Sequence, residues 1–224
     1  MVHFDKDYAS FFRELEKNNS KEWFDQNRKR YEKNIKIPFK NFMTTLAEHL
    51  QEFYPEADLS TNFSVMRINR DIRFSADKTP YKIHMAGMVM PGGVKDKTRP
   101  GLYVQVNHKD IRVYSGSMML EKEQLQAIRE YIADHLDEFN KLISDKNFTE
   151  IFGEISGEKN KRLPKEFQET SEIQPLIANK EFYWFFKIKS TEITSNNLVD
   201  ILVDKFQTTL PLNSFFEKAL GYKS

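Results

Sequence analysis

The feature that most constrains the fold is a change in the spacing of apolar residues along the chain. Up to Pro55 these residues recur three or four positions apart, which is the period of one helix face. Between residues 62 and 117 they alternate with polar residues, which is the period of a half-buried strand. Helical spacing returns from residue 121. The order is therefore helices, adjacent strands, then helices.

Four alternating runs predict neighbouring strands, and a fifth run, rich in aromatic residues, predicts another. The five runs are 62–74, 83–90, 101–107, 111–117 and 182–189. The polar link from Asn107 to Asp110 indicates a hairpin between two of them. Adjacent strands with segregated helices are typical of an antiparallel sheet. We expect an α+β fold in which a sheet of about four to six strands is flanked by N-terminal and C-terminal helices, in a single domain of residues 1–224.

The helical parts carry their own local signals. Ser20 is a predicted N-cap, because its hydroxyl can accept a backbone N–H of the first turn. Pro38 either starts a third helix or kinks a longer one. A helix is expected over residues 121–143, with a break near His135. Residues 144–181 are polar and predict irregular structure, and helices follow at 196–210 and from Pro211.

Composition excludes several classes of site. The 224 residues include no cysteine, which excludes disulfides, cysteine-based zinc sites and thiol nucleophiles. The five histidines show no metal-ligand spacing, and we find neither a phosphate-binding glycine loop nor a serine-hydrolase elbow. We therefore expect no metal and no cofactor. The 34 basic and 33 acidic residues nearly cancel, which argues against a large nucleic-acid-binding surface.

The chain lacks the apolar segments that membranes and export require. Its first residues contain acids and no apolar core of a signal peptide. No window approaches the roughly 18 consecutive apolar residues of a membrane span. We expect a soluble, cytoplasmic protein. The sequence predicts nothing about its oligomeric state.

One segment, residues 67–82, is cationic in an otherwise neutral chain. It reads RINRDIRFSADKTPYK and contains five basic and two acidic residues, a net charge of +3. Arginine is suited to bidentate contact with carboxylate or phosphate, so the segment is predicted to bind a small anionic or phosphorylated ligand. The predicted ligand-binding residues are Arg67, Arg70, Arg73, Lys78, Tyr81, Lys82 and Tyr103.

Polar residues elsewhere could extend this site. On the next two strands, Tyr103 and Gln105, then Arg112 and Tyr114, alternate with apolar residues and predict a polar sheet face. His84 follows the cationic segment directly. Near the first helices, the side chains that could line a pocket are Asn19, Asn27 and Arg28.

Two aspartates in the segment are candidates for chemistry. Asp71 could hold an arginine in place by ion pairing. If the protein is an enzyme, which the sequence leaves open, Asp71 or Asp77 would be its acid or base.

Two other readings of the segment remain open. The cationic strand could dock an acidic protein surface or a nucleic-acid backbone, as part of an interaction module. Alternatively, the arginines pair with neighbouring acids and have a purely structural role.

The chain resembles a bacterial and fungal family of conserved hypothetical proteins, catalogued as a domain of unknown function. The resemblance rests on Asn18-Asn19 followed by Trp23-Phe24, Asn27 and Tyr31, and above all on the pattern R-D-x-R-F-S-x-D-K-x-P-Y-K at residues 70–82. It extends from about residue 3 to residue 220. The resemblance implies one α+β domain and assigns no activity.

Overall fold

A computed structural model describes residues 2–222 of the chain. No helix within this range is long and apolar enough to cross a membrane.

The N-terminal helices begin at side chains that cap them. Helix α1 (Lys6–Lys17) begins after Asp5, whose carboxylate accepts two backbone N–H groups of the first turn. Helix α2 (Lys21–Gln26) begins after Ser20, whose hydroxyl accepts the N–H of Trp23 at 3.2 Å. The predicted N-cap at Ser20 is thus confirmed.

Pro38 lies in the first turn of a helix, as one of the two alternatives expected, and this helix continues an earlier helical run. The run consists of α3 (Arg28–Arg30), a π-helical stretch (Tyr31–Lys36) and α4 (Ile37–Leu50). At the end of the π-helical stretch, the N–H of Ile37 bonds to the carbonyl of Glu32, five residues back. Proline has no N–H to donate to the residue four positions earlier, and the wider π turn accommodates this loss.

The strands form one antiparallel sheet. They are β1 (Phe63–Val65), β2 (Met85–Val89), β3 (Leu102–Val106), β4 (Asp110–Ser117) and β5 (Phe182–Lys189), in that spatial order. In the first pair Phe63 lies opposite Val89 and Val65 opposite Gly87. The predicted α+β class is confirmed, with five strands and helices before and after them.

The remaining helices are α5 (Lys122–Asp134), α6 (Leu136–Ile143), α7 (Lys146–Phe152), α8 (Gln168–Ile173), α9 (Leu198–Gln207) and α10 (Leu210–Ala219). The predicted interruption at His135 is confirmed, since it separates α5 from α6. The expectation that residues 144–181 are irregular is wrong in part. This region contains α7 and α8, and helices of one or two turns are too short to show an apolar period.

The predicted strand over 62–74 is much shorter than expected. Only Phe63–Val65 is a strand, and a single bridge pairs Asn69 with Tyr81. Beyond it, aspartate carboxylates accept backbone N–H groups two residues further on, at Arg73 and Thr79. Such local bonds compete with strand pairing, so alternation alone overestimates the strand.

The chain divides into two compact units. Unit 1 holds residues 2–89, 103–113 and 187–203, and unit 2 holds residues 90–102, 114–186 and 204–222. In unit 1 the core is built on the aromatic residues Phe4, Tyr8, Phe11, Phe12, Phe39 and Phe42. In unit 2 it is built on Phe139, Phe148, Phe182, Trp184, Phe215 and Phe216. That residues 1–224 act as one domain stays a prediction.

Candidate functional site

The cationic segment forms a loop with a paired base, within unit 1. The N–H of Arg70 donates to the carbonyl of Pro80 at 2.9 Å, and the N–H of Lys82 donates to the carbonyl of Ile68 at 2.8 Å. These bonds close residues 71–79 into what we call the 71–79 loop. Its two ends therefore have fixed positions relative to each other.

The side chain of Arg70 braces this loop from within. Its guanidinium is ion-paired with Asp77 and donates to the hydroxyl of Thr79 at 2.6 Å. It also reaches the hydroxyl of Ser75 at 3.5 Å. Lys78 adds a bond from its ammonium to the carbonyl of Ile72 at 2.9 Å. Both of these predicted ligand-binding cations thus have partners within the loop itself.

The two candidate acid–base residues are both bonded to donors. Asp71 binds the exposed guanidinium of Arg73 at 2.6 Å, and this bond lowers the pKa of Asp71. The backbone N–H of Thr79 and the side chain of Arg70 lower the pKa of Asp77 to about 2. Both carboxylates are therefore ionised at neutral pH and orient arginines. Their role as acid or base stays a prediction.

Tyr81 packs into the core of unit 1. Its ring stacks on Phe24 at a centroid distance of 4.0 Å, and the residue is only 5% exposed. The side-chain amide of Asn19 holds its backbone in both directions, at 2.9 Å and 3.1 Å. Tyr81 therefore places the base of the loop against α2.

A cleft of about 430 Å³ lies at the base of the loop. Its lining residues are Glu16, Asn19, Arg70, Asp77, Thr79, Tyr81, Lys82, Ile83 and His84. Of the predicted ligand-binding residues, the cleft brings together Arg70, Tyr81 and Lys82. The others, Arg67, Arg73, Lys78 and Tyr103, are not part of its described lining.

Lys82 is the cation of the cleft that has no counter-charge. It is half-buried, and its ammonium donates to the backbone carbonyl of Arg67 at 3.2 Å. Burial and the positive charge of Arg67 lower the pKa of Lys82. Within residues 2–222, neither Lys82 nor Arg67 makes an ion pair with a carboxylate. The two positive charges therefore lie close together, although Arg67 also interacts electrostatically with Asp71.

His84 lies next to Lys82 in the same cleft. Burial, followed by the charges of Lys82 and Arg112, lowers the pKa of His84 to about 4, against an opposing effect of Asp110. Asp110 binds Arg112 at 3.0 Å. The imidazole is therefore neutral at pH 7, in a setting of positive charge.

The predicted polar face is present on the strand residues of unit 1. Tyr103, Gln105 and Arg112 are half-buried, whereas their neighbours Val104, Ile111 and Val113 are buried. The amide of Gln105 donates to the hydroxyl of Tyr103 at 2.8 Å. Tyr103 thus belongs to this face and not to the cleft lining.

Two polar residues of the cleft lining, Glu16 and Thr79, were not predicted. Glu16 comes from α1 and binds Lys109 at 2.5 Å and His108 at 3.2 Å, so its charge is already compensated. Thr79 lies within the cationic segment, but nothing in the sequence indicated that its hydroxyl would line the cleft. Asn19 was a candidate as a polar side chain near the first helices. Of the other two pocket candidates, Asn27 bonds to the carbonyl of Trp23 and Arg28 to Asp25.

No group of three or more metal-ligating side chains comes together within residues 2–222. The cleft lining combines the cations Arg70 and Lys82, the ion-paired carboxylates of Glu16 and Asp77, an amide, hydroxyls and a neutral imidazole.

Comparison with known proteins agrees with the resemblance seen in the sequence. The model of a family described as "Conserved hypothetical protein (DUF2461)" matches residues 7–215. Neither the curated proteins nor the solved structures contain a match to the chain.

Proposed function

Because the chain belongs to the DUF2461 family of conserved hypothetical proteins, whose description names no activity, we propose a function from the cleft itself: it binds a small anionic or phosphorylated ligand. The observation that carries this proposal is the half-buried ammonium of Lys82, which lies beside Arg67 without a carboxylate partner.

The free energy of a buried charge favours an anion at this position. Placing an ammonium in a partly desolvated setting costs free energy unless an opposite charge compensates it. Arg67 adds to this cost through repulsion. An anion bound in the cleft beside Lys82 would compensate both effects. Arg70 would contribute less, since Asp77 already neutralises it.

The neutral imidazole of His84 fits the same ligand. A neutral imidazole can donate one N–H to an anion oxygen. A dianion would also offset the positive field of Lys82 and Arg112, so that His84 would take up a proton more readily.

The dimensions of the cleft support a small ligand. Its volume of about 430 Å³ lies near the lower end of the range for ligand pockets, roughly 300–1,000 Å³. With few glycines in the chain, side chains would have to hold a phosphate in place of a glycine loop. Lys82, His84 and the hydroxyl of Thr79 provide such groups.

Thermal unfolding of the purified protein with a panel of anions tests the proposal. The panel contains inorganic phosphate, sugar phosphates, nucleotides, polyphosphate and dicarboxylates, at constant ionic strength. The matched variants are Lys82→Met and Lys40→Met, where Lys40 is an exposed cation of α4 outside the cleft.

We expect one class of compound to raise the Tm of the wild type and of Lys40→Met, but not of Lys82→Met. The proposal is wrong if no compound raises the Tm, or if the two variants respond alike.

A structural role is also supported for several residues of the segment, above all for Arg70. The bonds of Arg70 to Asp77, Thr79 and Ser75 hold the loop together. This role is compatible with ligand binding at Lys82, because different cations carry the two tasks.

A further inference from the structure

The tip of the 71–79 loop carries the most exposed large apolar side chain of residues 2–222. Phe74 is 96% exposed, whereas a phenylalanine in a soluble protein is usually buried. The guanidinium of Arg73 lies 5.9 Å from the centre of its ring. An aromatic ring and an arginine are the side chains that most often dominate the affinity of protein interfaces.

Phe74 is exposed although hydrogen bonds and ion pairs hold the loop on both sides of it. On its N-terminal side, Asp71 binds both the backbone and the side chain of Arg73. On its C-terminal side, Arg70 binds Asp77 and Lys78 binds the carbonyl of Ile72. These bonds hold the loop in a form that points the ring into solvent. A ring presented in this way is preorganised for binding, which lowers the entropic cost of association.

We propose that the 71–79 loop is a docking finger, whose Phe74 enters an apolar pocket with a carboxylate-lined rim on a partner protein. The rim would face Arg73, Lys78 and Arg67, all of which are exposed. The charges of residues 71–79 cancel, and the net charge of +3 over residues 67–82 comes from Arg67, Arg70 and Lys82 at the base of the finger. This excess of positive charge favours a partner whose surface around the finger is acidic.

The composition of the finger favours a protein over a lipid bilayer. Asp71 and Asp77 lie three residues to either side of Phe74, and both are exposed. An anionic bilayer would repel them, because it presents negative charge on all sides of the inserted ring. A protein pocket can place its carboxylates opposite Arg73 and Lys78 alone.

The shape of the finger also disfavours a second copy of this chain. Two rings that meet tip to tip would bury roughly 150–250 Å² each. A standard interface buries about 800 Å² on each partner. A larger partner with a concave surface around the finger would reach this area.

The experiment begins with crosslinking in cells that naturally make the protein. A photoreactive benzophenone amino acid replaces Phe74, and in a control chain it replaces Ile173, a 64% exposed residue of α8. A protein crosslinked only from position 74 is then purified and titrated with the full chain and its variants. The variants are Phe74→Ala, Phe74→Trp and Arg73→Glu. Their affinities for the purified partner, and not the crosslink alone, test the proposal.

We expect Phe74→Ala to weaken binding by about tenfold or more, as truncation of an anchoring aromatic does. Arg73→Glu should weaken it as well, and Phe74→Trp should retain it. Phe74→Ala should unfold at the wild-type Tm, since the ring makes no core contact.

Several results would overturn the proposal. They are no product from position 74, the same products from position 173, and equal affinity of Phe74→Ala for the purified partner. Cosedimentation of the wild type, but not of Phe74→Ala, with phosphatidylserine-containing vesicles would assign the finger to membranes. Loss of anion binding in Phe74→Ala, with unchanged partner affinity, would make Phe74 a lid of the cleft. The proposed anion site is tested with Lys82→Met and not with the Phe74 variants. A result against the anion site therefore does not count against the docking finger.

Discussion

Arg70 and Asp77 stand seven residues apart, and their side chains form an ion pair inside the loop that separates them. The backbone N–H of Arg70 also closes the base of that loop, through the carbonyl of Pro80. One residue thus links the closure of the loop to its internal bracing. The finger and the adjacent cleft both depend on this residue.

Loss of the Arg70 side chain should open the loop, whereas loss of Arg73 should not. Arg70→Ala removes bonds to Asp77, Thr79 and Ser75. The side chain of Arg73 is 75% exposed, and Arg73→Ala removes its ion pair with Asp71 but keeps the bond from its backbone N–H to the same carboxylate. Exposed ion pairs of this kind contribute little to stability. Limited digestion with chymotrypsin, which cleaves after Phe74, should be faster for Arg70→Ala and unchanged for Arg73→Ala. Equal cleavage rates in both variants would contradict the bracing role.

The stability that Asp77 contributes should disappear in acid. Its folded-state pKa is lowered from 3.8 to about 2, so its contribution is present above pH 4 and is lost as the pH falls towards 2. Urea unfolding of the wild type and of Asp77→Asn between pH 4 and pH 2 measures this contribution to stability. The difference between their midpoints should shrink as the pH falls. A constant difference would mean that Asp77 is not ion-paired in solution.

Removing the charge of Lys82 should not destabilise the ligand-free protein. Burial and Arg67 disfavour the charged ammonium, so Lys82→Met relieves an unfavourable charge at the cost of one hydrogen bond. We expect the Tm of Lys82→Met to equal or exceed that of the wild type. A large drop would assign Lys82 a structural role and weaken the case for an anion site.

The imidazole of His84 should titrate far below the usual range. NMR of the ligand-free protein should give a pKa of about 4. The pKa should rise in Lys82→Met, because one of the charges that lowers it is gone.

Because the unfolded chain binds this proton more readily, His84 should make folding less stable as the pH falls from 6.5 towards 4. The variant His84→Gln should show a weaker dependence on pH in that range. A pKa near 6.5 in the wild type would contradict the burial and the positive surroundings of His84.

Unit 2 contains a buried ion pair that offers a separate test of the fold. Arg99 and Glu217 are 2.7 Å apart, and their side chains are 7% and 8% exposed. Removing one partner leaves a buried charge, which typically costs about 3–5 kcal/mol. Denaturant unfolding of Glu217→Ala should show a loss of this size. The control is Glu150→Ala, whose partner Lys146 is exposed, and it should be close to the wild type.

Local features of the sequence predicted much of the fold. The cap at Ser20, the interruption at His135 and strand β5 depend on residues close together in the chain. Hydrophobic periodicity predicted the order of helices and strands, because each element must bury one face. The resemblance to a family of conserved hypothetical proteins was likewise visible in the sequence, and the family match confirms it.

The sequence by itself therefore determined the fold class and drew attention to residues 67–82. Only the tertiary structure decided what each of these side chains does. Packing against Phe24 turned Tyr81 into a core residue, and Asp77 neutralised Arg70. Glu16 from α1 joined the cleft across a long stretch of chain. Such roles depend on which distant residues surround a side chain, and short-range periodicity carries no information about those neighbours.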